Sequence, residues 1–100
     1  MSKLDLLSGC KGFLWDEGNL LKSWEKHEVT PAECEQLFFN QPLIVAEDEK
    51  HSSEEARFFT LGQTDTRSRL FVVFTVRNSM IRVISARDMK RKERKAFETS

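Results

Sequence analysis

The chain has no tyrosine. It also has few residues that form disulfides or interrupt helices and strands: 2 cysteines, 2 prolines and 4 glycines among 100 residues. Two cysteines cannot build the disulfide framework of a small secreted domain, so we expect a reducing, cytoplasmic setting. No apolar run reaches the roughly 20 residues that a membrane span needs, and no signal-peptide pattern is present. A chain of this length predicts one domain with its own core. Because the sequence shows neither a membrane span nor a signal peptide, we expect no membrane partner.

The missing motifs narrow the possible chemistry. Scattered glycines give no phosphate-binding loop. The candidate metal ligands His27, His51, Cys10 and Cys34 show none of the paired spacings of zinc sites, so we predict no metal and no other cofactor. Without tyrosine, proton transfer would have to use His, Glu, Asp, Lys or a water. Cys34 falls on the apolar side of a predicted helix, which favours a small core residue over a nucleophile.

The most informative segment is residues 69–87. An apolar run over 70–76, rich in β-branched and aromatic residues, predicts a buried strand. Asn78-Ser79 then predicts a turn, and 80–86 a returning strand. A two-residue loop would pair three sets of residues on one apolar face that should meet the core: Val76 with Ile81, Phe74 with Val83, and Val72 with Ser85.

The other face of this predicted hairpin places Arg82 opposite Thr75, among apolar neighbours. A cation in such a position needs a partner, because burial of an unpaired charge is costly. Two interpretations follow from the residues. Arg82 pairs with a carboxylate of the same chain, or it binds an anionic ligand.

The remaining elements can be placed around the hairpin. We predict a short strand at 13–15, a helix over 16–26, and strands at 43–46 and 57–63. A second helix begins at Thr30, where Pro31 and Glu33 complete a capping-box signature. After Ala86 the chain is predicted to become helical, with Ser85 as the cap and Asp88 answering it at the third position, as in a capping box.

This order of elements predicts an α+β domain. We expect an antiparallel sheet with two N-terminal helices packed on one face, together with a C-terminal helix. Residues 1–12 are expected to form a flexible arm, and 13–100 the single domain.

Charge is divided between the two halves of the chain. Residues 1–50 carry a net charge of −5 and residues 51–100 a net charge of +5. Several of the cations are near the end of the chain: Arg87, Lys90, Arg91, Lys92, Arg94 and Lys95. This cluster favours an anionic partner such as nucleic acid or an acidic protein, or else forms a solvated basic helix.

The cations and histidines together could cleave RNA without a metal. That reaction needs a base for the 2′-hydroxyl, cations for the charged phosphorane, and an acid for the leaving oxygen. Histidine suits the proton transfers because its pKa lies near neutrality. The candidate residues are Lys26, His27, His51, Arg57, Arg82 and Arg87. A non-catalytic role also fits, with His27 as a helix-end cap and His51 as a loop residue.

A family resemblance covers residues 13–97. In order along the chain, the matching pieces are Phe13-Leu14-Trp15-Asp16, Lys26-His27, Val29, Glu33, Phe38, His51-Ser52, Glu55-Ala56-Arg57, Leu61-Gly62, Ile81-Arg82-Val83-Ile84-Ser85-Ala86-Arg87 and Glu93-Arg94. Together they resemble the BrnT family of toxins of type II toxin–antitoxin systems. Two positions depart from the family pattern, since Glu28 replaces a usual glycine and Phe97 replaces an aromatic residue that often carries a hydroxyl.

The resemblance implies a RelE-like fold and a ribonuclease that inhibits translation. It also implies a cognate antitoxin with a DNA-binding domain, of the ribbon-helix-helix type, through which DNA would be bound. On this interpretation His27, His51 and Arg82 are the predicted catalytic residues, and Lys26, Arg57 and Arg87 bind the RNA substrate. The alternative is a non-catalytic module that binds protein or nucleic acid through its basic C-terminal helix.

Overall fold

The computed structural model describes residue 7 and residues 9–15, 29–51 and 55–99, with only the backbone of His51. The elements are β1 (Gly12–Leu14), α1 (Pro31–Leu37), β2 (Ile44–Glu47), a 3₁₀ turn (Glu49–His51), β3 (Phe58–Gln63), β4 (Arg69–Arg77), β5 (Met80–Asp88) and α2 (Arg91–Glu98). The predicted helix over 16–26 lies outside the described residues and stays a prediction.

The five strands form one sheet in the order β1-β5-β4-β3-β2. Strands β2 to β5 are antiparallel to their neighbours, whereas β1 runs parallel to β5. The prediction of a wholly antiparallel sheet was therefore wrong, and the sheet is mixed. The reason is that a parallel pair is joined by a long crossover, which leaves no turn signal in the sequence.

The β4–β5 hairpin confirms most of the predicted register. Asn78 and Ser79 form its two-residue loop with left-handed φ values of 54° and 61°, the geometry that matches strand twist. The pairs are Phe74–Val83, Thr75–Arg82 and Val76–Ile81.

Beyond these pairs the prediction was wrong, because β5 contains an irregularity. Val73 pairs with Ser85 and Val72 with Ala86, so Ile84 is an extra residue in β5. It forms a β-bulge, in which two residues on one strand oppose one on the other.

One face of the sheet covers the main core. Val72 and Phe74 are fully buried there. Helix α1 supplies Cys34 and Leu37 to the same cluster, which consists of Val29, Cys34, Leu37, Val45, Leu70, Val72, Phe74, Ile81, Val83 and Ala86. The predicted start of α1 is confirmed, since the Thr30 side chain accepts from Glu33 N and the two residues form a capping box.

Gly62 in β3 allows α1 to approach the sheet. A Cβ atom at Gly62 would lie 2.6 Å from Leu37 Cγ and 3.0 Å from Leu43 Cδ1. Real side chains do not approach that closely, so glycine is required here for steric reasons.

A smaller cluster on the opposite face holds α2, with Leu61, Met89 and Phe97 buried and Ile44 and Phe71 packed against them. The predicted start of this helix was wrong. Ser85 and Asp88 belong to β5, and α2 begins at Arg91 after the N-cap Lys90. Strand β5 pairs with β4 as far as Leu70–Asp88. The hydrogen bonds between these two strands outweigh the local tendency of Ser85 and Asp88 to cap a helix.

The segment before β1 also has described contacts. Leu7 and Cys10 pack against the main core cluster, and Lys11 N donates to Ser79 O at 2.7 Å. In the described part of the chain, no helix has the length and apolarity that crossing a membrane requires.

Candidate functional site

Arginines gather on the sheet face opposite the main core, which we call the cation face. Alternation along β4 places Arg69, Phe71, Thr75 and Arg77 on this face, while Leu70, Val72 and Phe74 join the core, as expected for a period of two. Strand pairing then adds two arginines of β5, Arg82 opposite Thr75 and Arg87 opposite Phe71.

The bulge at Ile84 is what places both of these arginines on one face. Arg82 and Arg87 are five positions apart, and strict alternation would send them to opposite faces. The extra residue reverses the alternation once. As a result Ala86 faces the core, where it is 1% exposed, and Arg87 joins Arg82 on the cation face.

Glu55 is the acidic partner at the hairpin end of this face. Arg77 donates from Nη2 to Glu55 Oε1 at 2.9 Å and from Nε to Oε2 at 3.3 Å. The hydrogen bond from Arg77, together with the positive charge of Arg82, holds the pKa of Glu55 below its usual value. The carboxylate is therefore ionised at neutral pH.

Thr75 lies beneath this group. Its hydroxyl oxygen is buried and has no hydrogen bond of normal geometry with another described residue. It is near enough to Glu55 to favour the ionised carboxylate and so contributes to the lowered pKa. Glu55, Thr75, Arg77 and Arg82 thus form one electrostatic group, with Glu55 in the segment before β3 and the other three residues on the β4–β5 hairpin.

Arg87 has a different environment. Its Nη1 and Nη2 donate to the two carboxylate oxygens of Glu93 at 2.8 and 2.9 Å, and its guanidinium lies 4.1 Å from the centroid of the Phe71 ring. Glu93 also accepts from Lys90 N at 2.7 Å at the start of α2. Hydrogen bonding to Arg87 holds the pKa of Glu93 below its usual value.

The structure describes fewer contacts for the other predicted site residues. Lys26 and His27 lie outside the described residues. His51 ends the 3₁₀ turn that follows β2. Arg57 is half-buried just before β3, and its carbonyl accepts from Asp48 N at 2.8 Å.

Sequence reasoning missed Glu55, Thr75 and Arg77 as members of the site. Glu55 and Arg77 are 22 positions apart, so no local spacing links them. The one available signal was Glu55 itself, which precedes Arg57 in one of the pieces that carry the family resemblance.

Two further residues have structural roles. Burial raises the pKa of the Cys34 thiol to about 12, so a thiolate nucleophile does not form there at neutral pH. Phe97 is 4% exposed in the smaller cluster, where its ring packs without needing a hydroxyl. Within the described ranges, no three His, Cys, Asp or Glu side chains are grouped as metal ligands would be.

Comparisons with known proteins identify a family for this chain. A family model described as the ribonuclease toxin BrnT of type II toxin–antitoxin systems matches residues 15–93. The 1.1 Å crystal structure of the Brucella abortus ribonuclease toxin BrnT superposes with a TM-score of 0.60 at 20% sequence identity, covering 80% of this chain and 97% of that one, which shows a shared fold. The comparison with curated proteins found no match. Because the family model spans most of the chain, this protein belongs to the BrnT family of ribonuclease toxins of type II toxin–antitoxin systems.

Proposed function

We propose that this chain is a metal-independent endoribonuclease that acts on RNA in the cytoplasm, inhibits translation, and is neutralised by a cognate antitoxin. The observation that carries the proposal is the group of Arg77 and Arg82 around Glu55 on the cation face, in a chain of the BrnT family. Both arginines project from adjacent, paired strands, and electrostatic catalysis requires charges that are placed in advance in this way.

Arg82 is the residue proposed to hold the scissile phosphate. It projects from β5 beside Thr75, and its planar fork can donate two hydrogen bonds to phosphate oxygens. When the 2′-hydroxyl attacks, negative charge grows on those oxygens, and a cation already in position stabilises that charge without reorganisation. Arg77 is paired with Glu55 at the same end of the face, and with Arg82 this group of two cations and one carboxylate keeps a net positive charge.

Proton transfer is assigned to His27 or His51. Either histidine could take the proton of the 2′-hydroxyl and a second group could return one to the leaving oxygen. Glu55 is a poorer base, because its lowered pKa makes its carboxylate hold a proton weakly. Lys26 and Arg57 are proposed to bind flanking phosphates.

Arg87 is expected to contribute least to substrate binding. Both of its terminal nitrogens already donate to Glu93, and Nη1 also donates to Asp88 O at 3.0 Å. An RNA phosphate would have to replace a bidentate ion pair that is half-buried. We therefore propose that Arg87 positions α2 against the sheet.

The antitoxin is proposed to cover the cation face and α2 with acidic and apolar side chains. The net charge of +5 in residues 51–100 supports this assignment, because complementary charge steers association. DNA would then be bound by the ribbon-helix-helix domain of the antitoxin. Measurement of the association rate at increasing salt tests the interface, since a rate that does not change with salt would contradict it.

An RNA-cleavage assay with excess chelator tests the catalytic proposal. Wild type should cleave, and folded Arg82→Ala, His27→Ala and His51→Ala are compared with it. Loss of the proton-transfer histidine should lower the rate by about 10²- to 10⁴-fold. Lys11→Gln, an exposed cation before β1, is the matched control.

Three outcomes would contradict parts of this mechanism. Cleavage that stops with chelator would show that a metal is needed. Undiminished cleavage by Arg82→Ala would remove Arg82 from the site. If both histidine variants cleaved normally, proton transfer would pass to Glu55, a lysine or water.

A further inference from the structure

A cavity lies at the turn between β3 and β4, at the end of β4 away from Arg77. Its volume is about 470 Å³, and its lining is Arg67, Ser68, Arg69, Asp88, Arg94 and Glu98. We propose that this cavity is a second phosphate-binding subsite for the RNA substrate, with Arg67 and Arg94 as its phosphate ligands. The proposal rests on the ribonuclease function proposed above.

The first observation in support is the backbone conformation of Arg67. Arg67 has a φ of 68°, a left-handed conformation that glycine and asparagine adopt far more readily than arginine. It completes a tight loop in which Arg67 N donates to Thr64 O and Thr64 N donates to Ser68 O, both at 2.9 Å. A three-residue hairpin loop of this kind normally ends in glycine. Residues strained in this way cluster at functional sites.

The charges of the cavity give the second observation. Three arginines face two carboxylates in its wall. Arg69 is paired with Glu98 and lies 5.7 Å from the centroid of the Phe97 ring. In the described part of the chain, the guanidinium groups of Arg67 and Arg94 make no hydrogen bond or ion pair. They are therefore available to donate to an incoming anion.

The position of the cavity favours RNA as that anion. Arg69 lies on the cation face, six residues along β4 from Thr75, the partner of Arg82, which is a distance of about 20 Å. A stacked strand advances about 3.4 Å per nucleotide, so a chain of about six nucleotides joins the two places. An RNA held at Arg82 can thus continue to this cavity, where arginine forks match phosphate oxygens.

The salt dependence of binding tests this subsite without requiring cleavage. The probe is a fluorescent 2′-O-methyl RNA of about twelve nucleotides, long enough to reach both places but without the hydroxyl that the reaction consumes. Loss of one phosphate contact should reduce the slope of log K against log salt by about 0.7. We expect this reduction for Arg67→Gly and for Arg94→Gln. Arg67→Lys and the control Lys11→Gln should keep the wild-type slope.

Stability separates binding from folding in the same variants. Arg67→Gly removes the left-handed strain, so its Tm should equal that of wild type or rise by up to about 5 °C. The variant should therefore bind RNA less tightly while being at least as stable. A merely structural role for Arg67 predicts the reverse, a lower Tm and unchanged RNA binding, and would overturn the proposal.

Cleavage of two substrates separates this proposal from the ribonuclease function. With an RNA of about twelve nucleotides, Arg67→Gly should raise KM and leave kcat unchanged, whereas a dinucleotide too short to reach the cavity should be cleaved as by wild type. Cleavage with an unaffected KM and slope would overturn the subsite alone. Unaffected RNA binding with weaker antitoxin binding would assign the cavity to the protein partner instead. A wild type that neither binds nor cleaves RNA would overturn both proposals.

Discussion

The two faces of the β4–β5 hairpin use the same strands for different purposes. On the core face, Val72, Phe74 and Val83 are almost wholly buried. On the cation face, Arg77 is exposed and Arg82 half-buried. Side chains alternate between the two faces except at the Ile84 bulge, so the buried set fixes the positions of the charged set. The core thus provides the rigidity that a preorganised phosphate site needs.

The largest effect is expected on the core face. Phe74→Ala should lower the free energy of unfolding by about 3 to 5 kcal/mol, because it leaves a cavity among well-packed neighbours. Urea denaturation measures the loss. Phe39→Ala is the matched control, because Phe39 is 78% exposed and its truncation should cost far less. Equal losses for the two variants would contradict the difference in burial.

The next effect is expected on the cation face and in activity. Arg82→Ala should lower kcat for RNA cleavage by about 10²- to 10³-fold, as removal of one preorganised donor does. Arg87→Ala should cause a smaller loss of activity and reduce stability, because it leaves the carboxylate of Glu93 without its bidentate partner. Measurement of kcat and of the urea midpoint for both variants tests the roles assigned to the two arginines. Exchanged patterns would reverse the roles assigned to the two arginines.

A smaller effect is expected where α2 joins the cation face. Glu93→Ala removes the fork with Arg87 and the acceptor for Lys90 N, and should cost about 2 kcal/mol of stability. The pKa of Glu93 is lower in the folded state than its ordinary value of 4.5. Its stabilisation is therefore complete above pH 4.5 and is lost as pH falls through the folded-state pKa.

Unfolding measured from pH 7 to pH 3 in wild type and Glu93→Gln tests this linkage. Wild type should lose more stability on acidification than the variant, which has no carboxyl group to protonate at that position. If both chains lost the same amount, the Arg87–Glu93 pair would not be a source of the acid sensitivity.

The smallest effect on stability is expected for Glu55→Gln. The Arg77–Glu55 pair is exposed, with 48% and 36% of the two side chains accessible, and exposed ion pairs contribute little to stability because water and salt screen them. The urea midpoint should be indistinguishable from that of wild type. A clear drop, comparable with that of Glu93→Ala, would show that the two ion pairs have the same structural role.

Local signals in the sequence predicted the parts of this fold that are locally determined. The Asn78-Ser79 turn, the Phe74 core face and the Thr30 capping box each depend on residues within a few positions of one another. Arg82 opposite Thr75 followed from the same turn. These features were confirmed because short-range geometry fixes them.

The parts that failed depend on distant or competing interactions. The parallel pairing of β1 with β5 joins segments from opposite ends of the described chain. Ser85 and Asp88 had the pattern of a helix cap, but pairing with β4 kept them in a strand. The bulge at Ile84 has no glycine or turn residue that would indicate it in the sequence. Glu55 could be assigned to Arg77 only after the sheet had brought them together.

The extra residue in β5 decides which side of the sheet the end of this strand faces. If Ile84 paired with β4 in strict alternation instead of forming a bulge, every later residue of β5 would turn to the opposite side. Arg87 would then point into the core and Ala86 away from it, and the segment leading to α2 would start from the wrong side. Deletion of Ile84 would remove the bulge and still leave Ser85, Ala86 and Arg87 on their present sides. Natural variants of this chain should therefore either keep the bulge or lack one residue at that position, and otherwise vary in length at loops such as 64–68.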